Sequence, residues 1–366
     1  MIYPNIHVIG HETNISFHST GKEKARKKYK YLIHRFNIKK NEAVIIISQI
    51  IENYDHVIKF LKTKKYNKIF FFIDDVFRSS LVDCSDKYLE YYIVKDIIKR
   101  ISLKNFEIFH CEQTFSNIDS RIKYLDLFLA DWASRNKPEF PFDKKFTYKI
   151  SCLNNRAAVH RYYMSALLSK NKNIFLTFNE PKILNDLKDD GVLNINEFDQ
   201  KFKTLLDKQL IFLNKTKKNY LDNTNTNGTI LNPDVQNSDN VYDYITNSFV
   251  NLVTETTFDN NFRYVSEKTL KPMLCYRPFI MLGPPGNLRL IKSFGFRTFS
   301  PWWDESYDNI KDQNLRFKKV YELTQEIGKK NKKELSKMLK DMKPVLVHNR
   351  NQLEKFPEVM WSRFNV

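Results

Sequence analysis

Long apolar runs, cysteine and glycine are scarce in this chain of 366 residues. No segment approaches the roughly 18 uninterrupted apolar residues of a membrane-spanning helix, and residues 1–20 lack the apolar core of a secretion signal. The four cysteines (Cys84, Cys111, Cys152 and Cys275) show neither metal-ligand spacing nor a disulfide framework. We therefore expect a protein of the reducing cytoplasm without integral membrane association. The 8 glycines belong to a composition rich in Lys, Asn, Ile and Phe, a bias without direct functional meaning.

Positive charge is what the chain has in excess, with 60 lysines and arginines against 42 acidic residues and a net charge of +18. Such a surface attracts anions, among them nucleotide sugars, nucleic acids and acidic membrane faces. Much of the excess lies in the lysine-rich segments Lys22–Lys30 and Lys329–Lys333, where an ordinary solvated surface explains it equally well. No amphipathic anchoring helix is evident, so a membrane is the least favoured of these partners.

Strand-like and helix-like segments alternate in two separate runs, which is typical of parallel sheets covered by helices. The predicted fold class is α/β, with two doubly wound, Rossmann-like domains that face a cleft. A charged segment with two prolines ends the first run, so we place a first domain at 1–145. A second domain then covers 146–345, and a helix at 346–366 returns to the first domain.

Both runs contain segments whose pattern predicts a particular strand or helix. The sequence predicts strands at 6–9, 43–48, 68–73, 106–110, 146–153, 174–177 and 249–253, and a short strand at Thr298–Phe299. It predicts helices over 23–36, 51–64, 88–101 and 120–135, and a helix that Arg161 begins. It also predicts some helix within 195–211 and one or two helices over 315–341.

One stretch of the second domain combines acids and lysines with the ends of regular elements. The apolar run 249–253 leads to Glu255, which therefore stands at the end of a strand. Glu267, Lys268 and Lys271 then open an amphipathic helix. Acids at a strand end and at a helix N-terminus suit ribose hydroxyls, and lysines beside that N-terminus suit a diphosphate. The pattern favours a nucleotide-sugar pocket over a solvated helix with Glu–Lys pairs.

This stretch resembles the donor-binding region of the alpha-1,3-fucosyltransferases, which carry a Tyr-x-(Ser/Thr)-Glu-Lys motif before a helix and a strand. Tyr264, Ser266, Glu267 and Lys268 match the motif, and Arg277–Ile280 stands where the following strand begins. The resemblance is limited to this region of the chain. It implies a GT-B architecture, in which 1–145 is the acceptor-side domain and 146–345 is the nucleotide-sugar-binding domain. It also implies an inverting mechanism, GDP-fucose as donor and no obligatory metal, and that Glu267 holds the ribose hydroxyls.

The segment Val253–Asn261 departs from that family, because it is an extra polar stretch where the fucosyltransferases have a Phe-rich lead-in. The departure puts fucose itself in question and leaves the donor open between GDP-linked and UDP-linked sugars. Within the segment, Glu255 could contact the sugar or orient the lysines.

Two arginines follow the first predicted strand of the second domain. Arg156 and Arg161 come shortly after Leu153, and Arg161 begins an apolar helix. A helix N-terminus favours an anion, and guanidinium groups match phosphate oxygens in two-point contacts. Both arginines are therefore candidates to stabilise the leaving diphosphate, with local capping or a salt bridge as the alternative. The fucosyltransferases likewise carry an arginine at the start of the equivalent helix, and Arg161 is the matching position.

The catalytic base is the least determined part of the site. In the fucosyltransferase-like plan it comes from the first domain, where loops after strands offer His11, Glu12 and Asp75 as candidates. Asp74 and Glu112 occupy similar positions. Asp74 and Asp75 lack the Asp-x-Asp spacing of a metal site, and paired acids at a strand end often cap helices. The histidines form no ligand group, so we expect no metal and no other cofactor.

The function predicted is a glycosyltransferase that moves a sugar from a nucleotide-diphosphate sugar to an acceptor hydroxyl, on a glycan. The first alternative is a DNA-base glycosyltransferase acting on hydroxymethylated pyrimidines, which the net charge of +18 would serve. The second is a catalytically inactive nucleotide-binding protein of the same fold. Trp302 and Trp303 fit either a stacking surface for a base or sugar or the closure of the core.

Overall fold

The computed structural model describes residues 6–9, 37–47, 55–64, 66–73, 89–111, 120–134, 138–154, 158–177, 193–215, 239–260 and 263–362. The chain divides into two compact units, Met1–Asp131 with Glu358–Val366 and Trp132–Pro357. Each unit contains its own parallel sheet, so the predicted α/β class is confirmed. The predicted domain ranges 1–145, 146–345 and 346–366 stay predictions.

The first unit is built on a five-stranded parallel sheet in the order β1-β2-β3-β4-β5. Its strands are β1 (Ile6–Ile9), β2 (Glu42–Ile47), β3 (Lys68–Ile73), β4 (Phe106–His110) and β5 (Ile122–Tyr124). Helix α1 (Asp55–Lys64) follows β2, α2 (Leu89–Arg100) follows β3, and α3 (Leu127–Ser134) follows β5. Strand β3 is buried from Ile69 onward, as a continuous apolar strand of a parallel sheet should be.

The second unit is built on a four-stranded parallel sheet in the order β7-β6-β8-β9. Its strands are β6 (Tyr148–Leu153), β7 (Ile174–Thr177), β8 (Ser248–Thr254) and β9 (Phe279–Leu282). The helices of this part of the chain are α4 (Val159–Leu168), α5 (Gln200–Lys215), α6 (Asp239–Thr246), α7 (Glu267–Leu274), α8 (Asn287–Ser293), α9 (Gln313–Lys329), α10 (Lys332–Asp341) and α11 (Lys343–Ser362). All seven residues of β8 are buried, which identifies it as a central strand.

The strand order of the second sheet places a topological switch point between β6 and β8. From β6 the chain passes through α4 to β7 on one side, whereas from β8 it passes through α7 to β9 on the other. Loops that leave neighbouring parallel strands in opposite directions open a crevice at the carboxyl ends of those strands. Open α/β sheets bind their ligands in such crevices.

Buried polar contacts join the strands on either side of the switch point. The Ser151 hydroxyl donates to the side-chain oxygen of Asn251, and the Thr254 hydroxyl donates to the side-chain oxygen of Asn154. Asn154 Nδ2 in turn donates to Ser165 Oγ on α4 at 3.0 Å. Because each of these groups is buried, an unpaired partner would be costly, and the network fixes the ends of β6, β8 and α4 relative to one another.

Two arginines of the second unit are buried against main-chain carbonyl groups. Arg277 donates from Nε and Nη2 to Thr246 O, at 3.0 and 2.7 Å. Arg316 donates to Gly283 O at 3.0 Å and to Phe258 O at 2.8 Å. Burial lowers the pKa of each guanidinium to about 10. Arg316 thereby ties the loop after β8 to the loop after β9.

The structure corrects three predicted elements. The helix predicted over 120–135 is wrong in its first half, where the chain forms the strand β5. A strand of three residues is too short to show an alternation of apolar and polar residues in the sequence. The helix predicted over 195–211 is a 3₁₀ turn at Ile195–Glu197 followed by α5, because Asp199 Oδ1 accepts from Phe202 N at 3.0 Å and starts a new helix. No strand forms at Thr298–Phe299, since Thr298 Oγ1 and Phe299 N both donate to the Glu305 carboxylate.

No helix in the part of the chain that the structure describes is long and apolar enough to cross a bilayer. Cys111, Cys152 and Cys275 are free thiols, and all three are buried. Burial raises the pKa of the Cys152 thiol to about 12, so this residue behaves as a small apolar side chain.

Candidate functional site

Two helices begin beside the switch point of the second sheet. Helix α4 follows β6 and α7 follows β8, so both N-termini lie at the carboxyl edge of the sheet. The N-cap of α4 is Ala158, whose side chain makes no capping hydrogen bond, whereas Ser266 caps α7 and accepts from Lys268 N at 3.3 Å. Unsatisfied N–H groups and the helix dipole make such ends favourable for phosphate.

Arg161 lies in the first turn of α4 and reaches across to the end of β8. Its Nη2 donates to the main-chain oxygen of Glu255 at 2.8 Å and to that of Thr254 at 3.3 Å. The side chain is buried, and its charge lowers the pKa of both Glu267 and Lys268 on α7. Main-chain oxygens at the carboxyl end of β8 thus help to hold the guanidinium in place.

Glu255 is fully buried, and its carboxylate is occupied by groups of the protein itself. Oε1 accepts from Ser266 N at 3.0 Å and from Thr269 Oγ1 at 2.6 Å. Oε2 accepts from Ser266 Oγ at 2.6 Å and from Thr256 N at 3.2 Å. Four donors leave little capacity for a ligand. The side chain instead holds the start of α7, the helix on which Lys268 and Lys271 stand.

Glu267 and Lys271 form a nearly buried pair on one face of α7. Glu267 Oε1 and Lys271 Nζ are 3.6 Å apart, and each side chain is 8 % exposed. Among the described residues, this is the one ion pair that Glu267 forms. Its carboxylate therefore keeps acceptor positions for hydroxyl groups that Glu255 does not have.

Lys268 stands beside Glu267 at the start of α7. Its Nζ donates to Thr256 Oγ1 at 3.0 Å and more weakly to Ser266 Oγ at 3.4 Å. Both acceptors are neutral hydroxyls, so within the described part of the chain no direct ion pair cancels the ammonium charge.

Charge and burial act in opposite directions on these two residues. Burial raises the pKa of Glu267, but the charges of Lys268 and Lys271 outweigh it and the net pKa is below the ordinary value. Burial lowers the pKa of Lys268, and the charge of Glu267 only partly offsets that effect. A group of cations whose charge is disfavoured by burial gains most from an incoming anion.

His160 is a member of the site that the sequence did not identify. Its Nε2 donates to Glu255 O at 3.0 Å, because a carbonyl oxygen can only accept, and its ring stacks on Phe258 with centroids 5.3 Å apart. Burial and the charge of Arg161 lower the pKa of His160 to about 3, so the ring is neutral. Its position next to Arg161 in the sequence could have indicated this role, since both residues contact the end of β8 from the same helical turn.

The structure thus brings together five of the predicted binding residues: Arg161, Glu255, Glu267, Lys268 and Lys271. The sixth, Arg156, lies outside the described residues, as do the base candidates His11, Glu12 and Asp75. Asp74 and Glu112 lie outside them too. Within the described ranges, no three His, Cys, Asp or Glu side chains are grouped as ligands for a metal ion.

The tryptophan pair closes the core at one position and reaches solvent at the other. Trp303 is buried against Phe299, with ring centroids 5.3 Å apart, while Trp302 is partly exposed and lies 6.3 Å from the same ring. The carboxylate of the neighbouring Glu305 accepts hydrogen bonds from Thr298 and Phe299 and so holds the turn that contains the two tryptophans. Trp303 therefore has a packing role.

The fold and site together define an α/β protein of two parallel sheets with a cationic site at the switch point of the second sheet. No protein-family model and no curated sequence matches the chain. Solved structures similar to it include a DNA-modifying beta-glucosyltransferase studied with and without uridine diphosphoglucose, at a TM-score of 0.44 and 9 % identity over 97 % of this chain and 98 % of that one. Another is T4 phage BGT in complex with UDP and Mn²⁺, at a TM-score of 0.45 and 9 % identity over 99 % of both chains.

Proposed function

We propose that the protein is a glycosyltransferase of GT-B type that uses a nucleotide-diphosphate sugar as donor. The observation that carries the proposal is the convergence of Arg161, Lys268 and Glu267 on the switch point of the second sheet. Cations at two helix N-termini suit a diphosphate, and a buried acid with free acceptor positions suits the ribose hydroxyls. All three groups are needed to hold a nucleotide diphosphate in one orientation.

Each residue has a distinct task in the proposed donor complex. Arg161 and Lys268 bind phosphate oxygens together with the N–H groups at the start of α7, and Glu267 accepts hydrogen bonds from the ribose. Lys271 holds Glu267 in its ionised form through the ion pair at 3.6 Å. Arg156, which the sequence places near the start of α4, is a further phosphate ligand in this proposal.

In the proposed reaction, an acceptor oxygen attacks the anomeric carbon of the sugar as the bond to the diphosphate breaks. A base takes the acceptor's proton, and the negative charge that develops on the leaving diphosphate is stabilised by Arg161 and Lys268. Attack from the opposite side inverts the anomeric configuration. We propose that the base comes from the first unit, with His11, Glu12 and Asp75 as candidates, and that the cations perform the task of a metal ion.

Two acceptors follow from different observations. A glycan hydroxyl is the acceptor implied by the fucosyltransferase resemblance. A hydroxymethylated pyrimidine in DNA is favoured instead by the net charge of +18, because lysines and arginines that neutralise phosphates dominate binding to DNA. The dependence of transfer on ionic strength distinguishes the two acceptors. Transfer to DNA should fall steeply as the ionic strength rises, whereas transfer to a neutral glycan should not.

The test is transfer from UDP-glucose and GDP-fucose to duplex DNA containing hydroxymethylcytosine and to a neutral oligosaccharide. Each reaction is run in excess EDTA and again with Mn²⁺, and the anomeric configuration of the product is read by NMR. Transfer in EDTA with an inverted product supports the proposal. Activity that appears only with Mn²⁺ contradicts the metal-free mechanism, and a retained configuration contradicts inversion. Failure of the chain to bind either nucleotide contradicts the assignment as a whole.

A further inference from the structure

We infer that Glu255 is a positioning residue that couples the phosphate-binding arginine to the ribose-binding start of α7, an inference that rests on the proposed function. The residue belongs to neither helix. It stands in the loop that leaves β8, yet its main chain contacts α4 and its side chain contacts α7.

The main-chain oxygen of Glu255 fixes the α4 side of the site. It accepts from Arg161 Nη2 at 2.8 Å and from His160 Nε2 at 3.0 Å. Two donors from one helical turn on one carbonyl oxygen restrain both the guanidinium plane and the helix start. Phe258, which stacks on His160, holds the same loop three residues further on.

The carboxylate of Glu255 fixes the α7 side. Its four hydrogen bonds go to Thr256, Ser266 and Thr269, and Ser266 and Thr256 are also the acceptors of Lys268 Nζ. A shift of the carboxylate would therefore move the hydroxyls that place the ammonium group of Lys268. Glu255 thus fixes the positions of Arg161 and Lys268 relative to each other, as a site for two adjacent phosphates requires.

The packing behind Glu255 leaves its side chain little freedom. A Cβ atom added to Gly283 would lie 3.1 Å from Glu255 Cβ and 3.3 Å from Glu255 Cγ. The absence of a side chain at Gly283, just after β9, thus allows the carboxylate to reach α7. Gly283 O is in turn held by Arg316 Nε at 3.0 Å.

A residue that only stabilised the fold would affect all ligands equally. A residue that positions Arg161 and Lys268 relative to each other should affect a diphosphate more than a monophosphate. The ratio of the affinities for UDP and UMP, or for GDP and GMP where the guanine nucleotides bind better, therefore separates the two roles.

The experiment compares wild type, Glu255→Gln and Thr269→Val by calorimetric titration with both nucleotides and by thermal unfolding. Glu255→Gln replaces one of the two acceptor oxygens by an NH2 group, which can only donate, and Thr269→Val removes one of the four donors without changing the shape. We expect Glu255→Gln to weaken diphosphate binding by about tenfold and monophosphate binding by less than about threefold, with a smaller change of the same kind in Thr269→Val.

The matched control is Glu305→Gln, since Glu305 is also a largely buried glutamate that accepts hydrogen bonds, from Thr298 and Phe299. It should lower the unfolding temperature and leave the affinity ratio unchanged. A lower unfolding temperature with an unchanged ratio in both Glu255→Gln and Thr269→Val would overturn the inference, while the proposed function would stand. A wild-type protein that binds neither nucleotide refutes the proposed function and the inference with it.

Discussion

Arg161 Nη2 lies 2.8 Å from the main-chain oxygen of Glu255, although 94 positions separate the two residues in the chain. Main-chain oxygens at the carboxyl end of the central strand therefore help to set the place of the guanidinium. A carbonyl oxygen carries only a partial charge, so these two contacts do not neutralise the positive charge of Arg161.

Loss of the Lys268 charge should weaken nucleotide binding. In Lys268→Met we expect the affinity for UDP or GDP to fall by about 1–3 kcal/mol, the usual size of a charge-assisted hydrogen bond to phosphate. Calorimetric titration measures the change, and Lys337→Met, at an exposed lysine of α10, serves as the control. Equal affinities for Lys268→Met and wild type would show that Lys268 does not contact the phosphates.

The low pKa of Lys268 predicts a pH dependence of the same binding. Burial holds this pKa below the usual lysine value, so the ammonium loses its proton at a lower pH than an exposed lysine does. Because phosphate favours the protonated form, nucleotide affinity should fall as the pH rises toward the ordinary lysine range. Lys268→Arg keeps its charge there and should flatten the profile on the alkaline side, below the ordinary lysine pKa of about 10.4. Identical profiles for both proteins would contradict this assignment.

Glu267 should act on the ribose and not on the phosphates. Glu267→Gln is expected to lower the affinity for UDP by about tenfold, because a carboxylate accepting two hydroxyl hydrogen bonds is replaced by a weaker acceptor. It should leave the affinity for 2′,3′-dideoxy-UDP nearly unchanged. Glu326→Gln, on the exposed face of α9, is the matched control. If the variant discriminates between the two nucleotides as wild type does, Glu267 does not contact the ribose.

The neutral His160 predicts how stability changes in acid. Its pKa is about 3 in the folded protein and near 6.5 when unfolded, so its share of stability is complete above pH 6.5 and is lost as the pH falls toward 3. His160→Gln keeps a donor for Glu255 O and cannot titrate. The variant should therefore lose less stability in this range, by up to about 1.4 kcal/mol per pH unit. Urea unfolding at several pH values measures the slopes, and parallel slopes would show that the histidine titrates normally.

Loss of the Arg316 guanidinium should strongly lower the free energy of unfolding of the second unit. In Arg316→Met the buried carbonyl oxygens of Phe258, Gly283 and Ile310 lose their donors, and each unsatisfied group costs about 1–3 kcal/mol. We expect a large fall in the free energy of unfolding, measured with urea. Arg289→Met, at an exposed arginine, should change it by less than about 0.5 kcal/mol. A similar small effect in Arg316→Met would mean that other groups satisfy these carbonyls.

Much of the fold could be predicted from the sequence, because a strand buried on both faces appears as a continuous apolar run. The predicted strands 106–110 and 174–177 have the bounds that the structure shows. The cluster of Arg161, Glu267 and Lys268 could be predicted because each residue follows a strand, and the carboxyl ends of parallel strands meet at one edge.

The remaining features depend on contacts between residues that are distant in the sequence. The occupation of the Glu255 carboxylate could not be predicted, since its donors Ser266 and Thr269 are 11 and 14 residues away on the next helix. Thr298–Phe299 has strand-like residues but pairs with a glutamate side chain. In both cases the local pattern carries no information about the partner that the chain brings from elsewhere.

The pairing of β6 with β8 also determines when the site can form during folding. Helix α4 and strand β7 can assemble from contacts within 30 or so positions of β6, as short-range contacts close quickly. Arg161 and His160 acquire their acceptors only when β8 has been added beside β6, after the whole stretch from β7 to α6 has been spanned. Closing so long a loop is slow, so the site is completed late. A refolding chain should thus regain its helical signal before it regains nucleotide binding, which makes binding a measure of completed folding of the second unit.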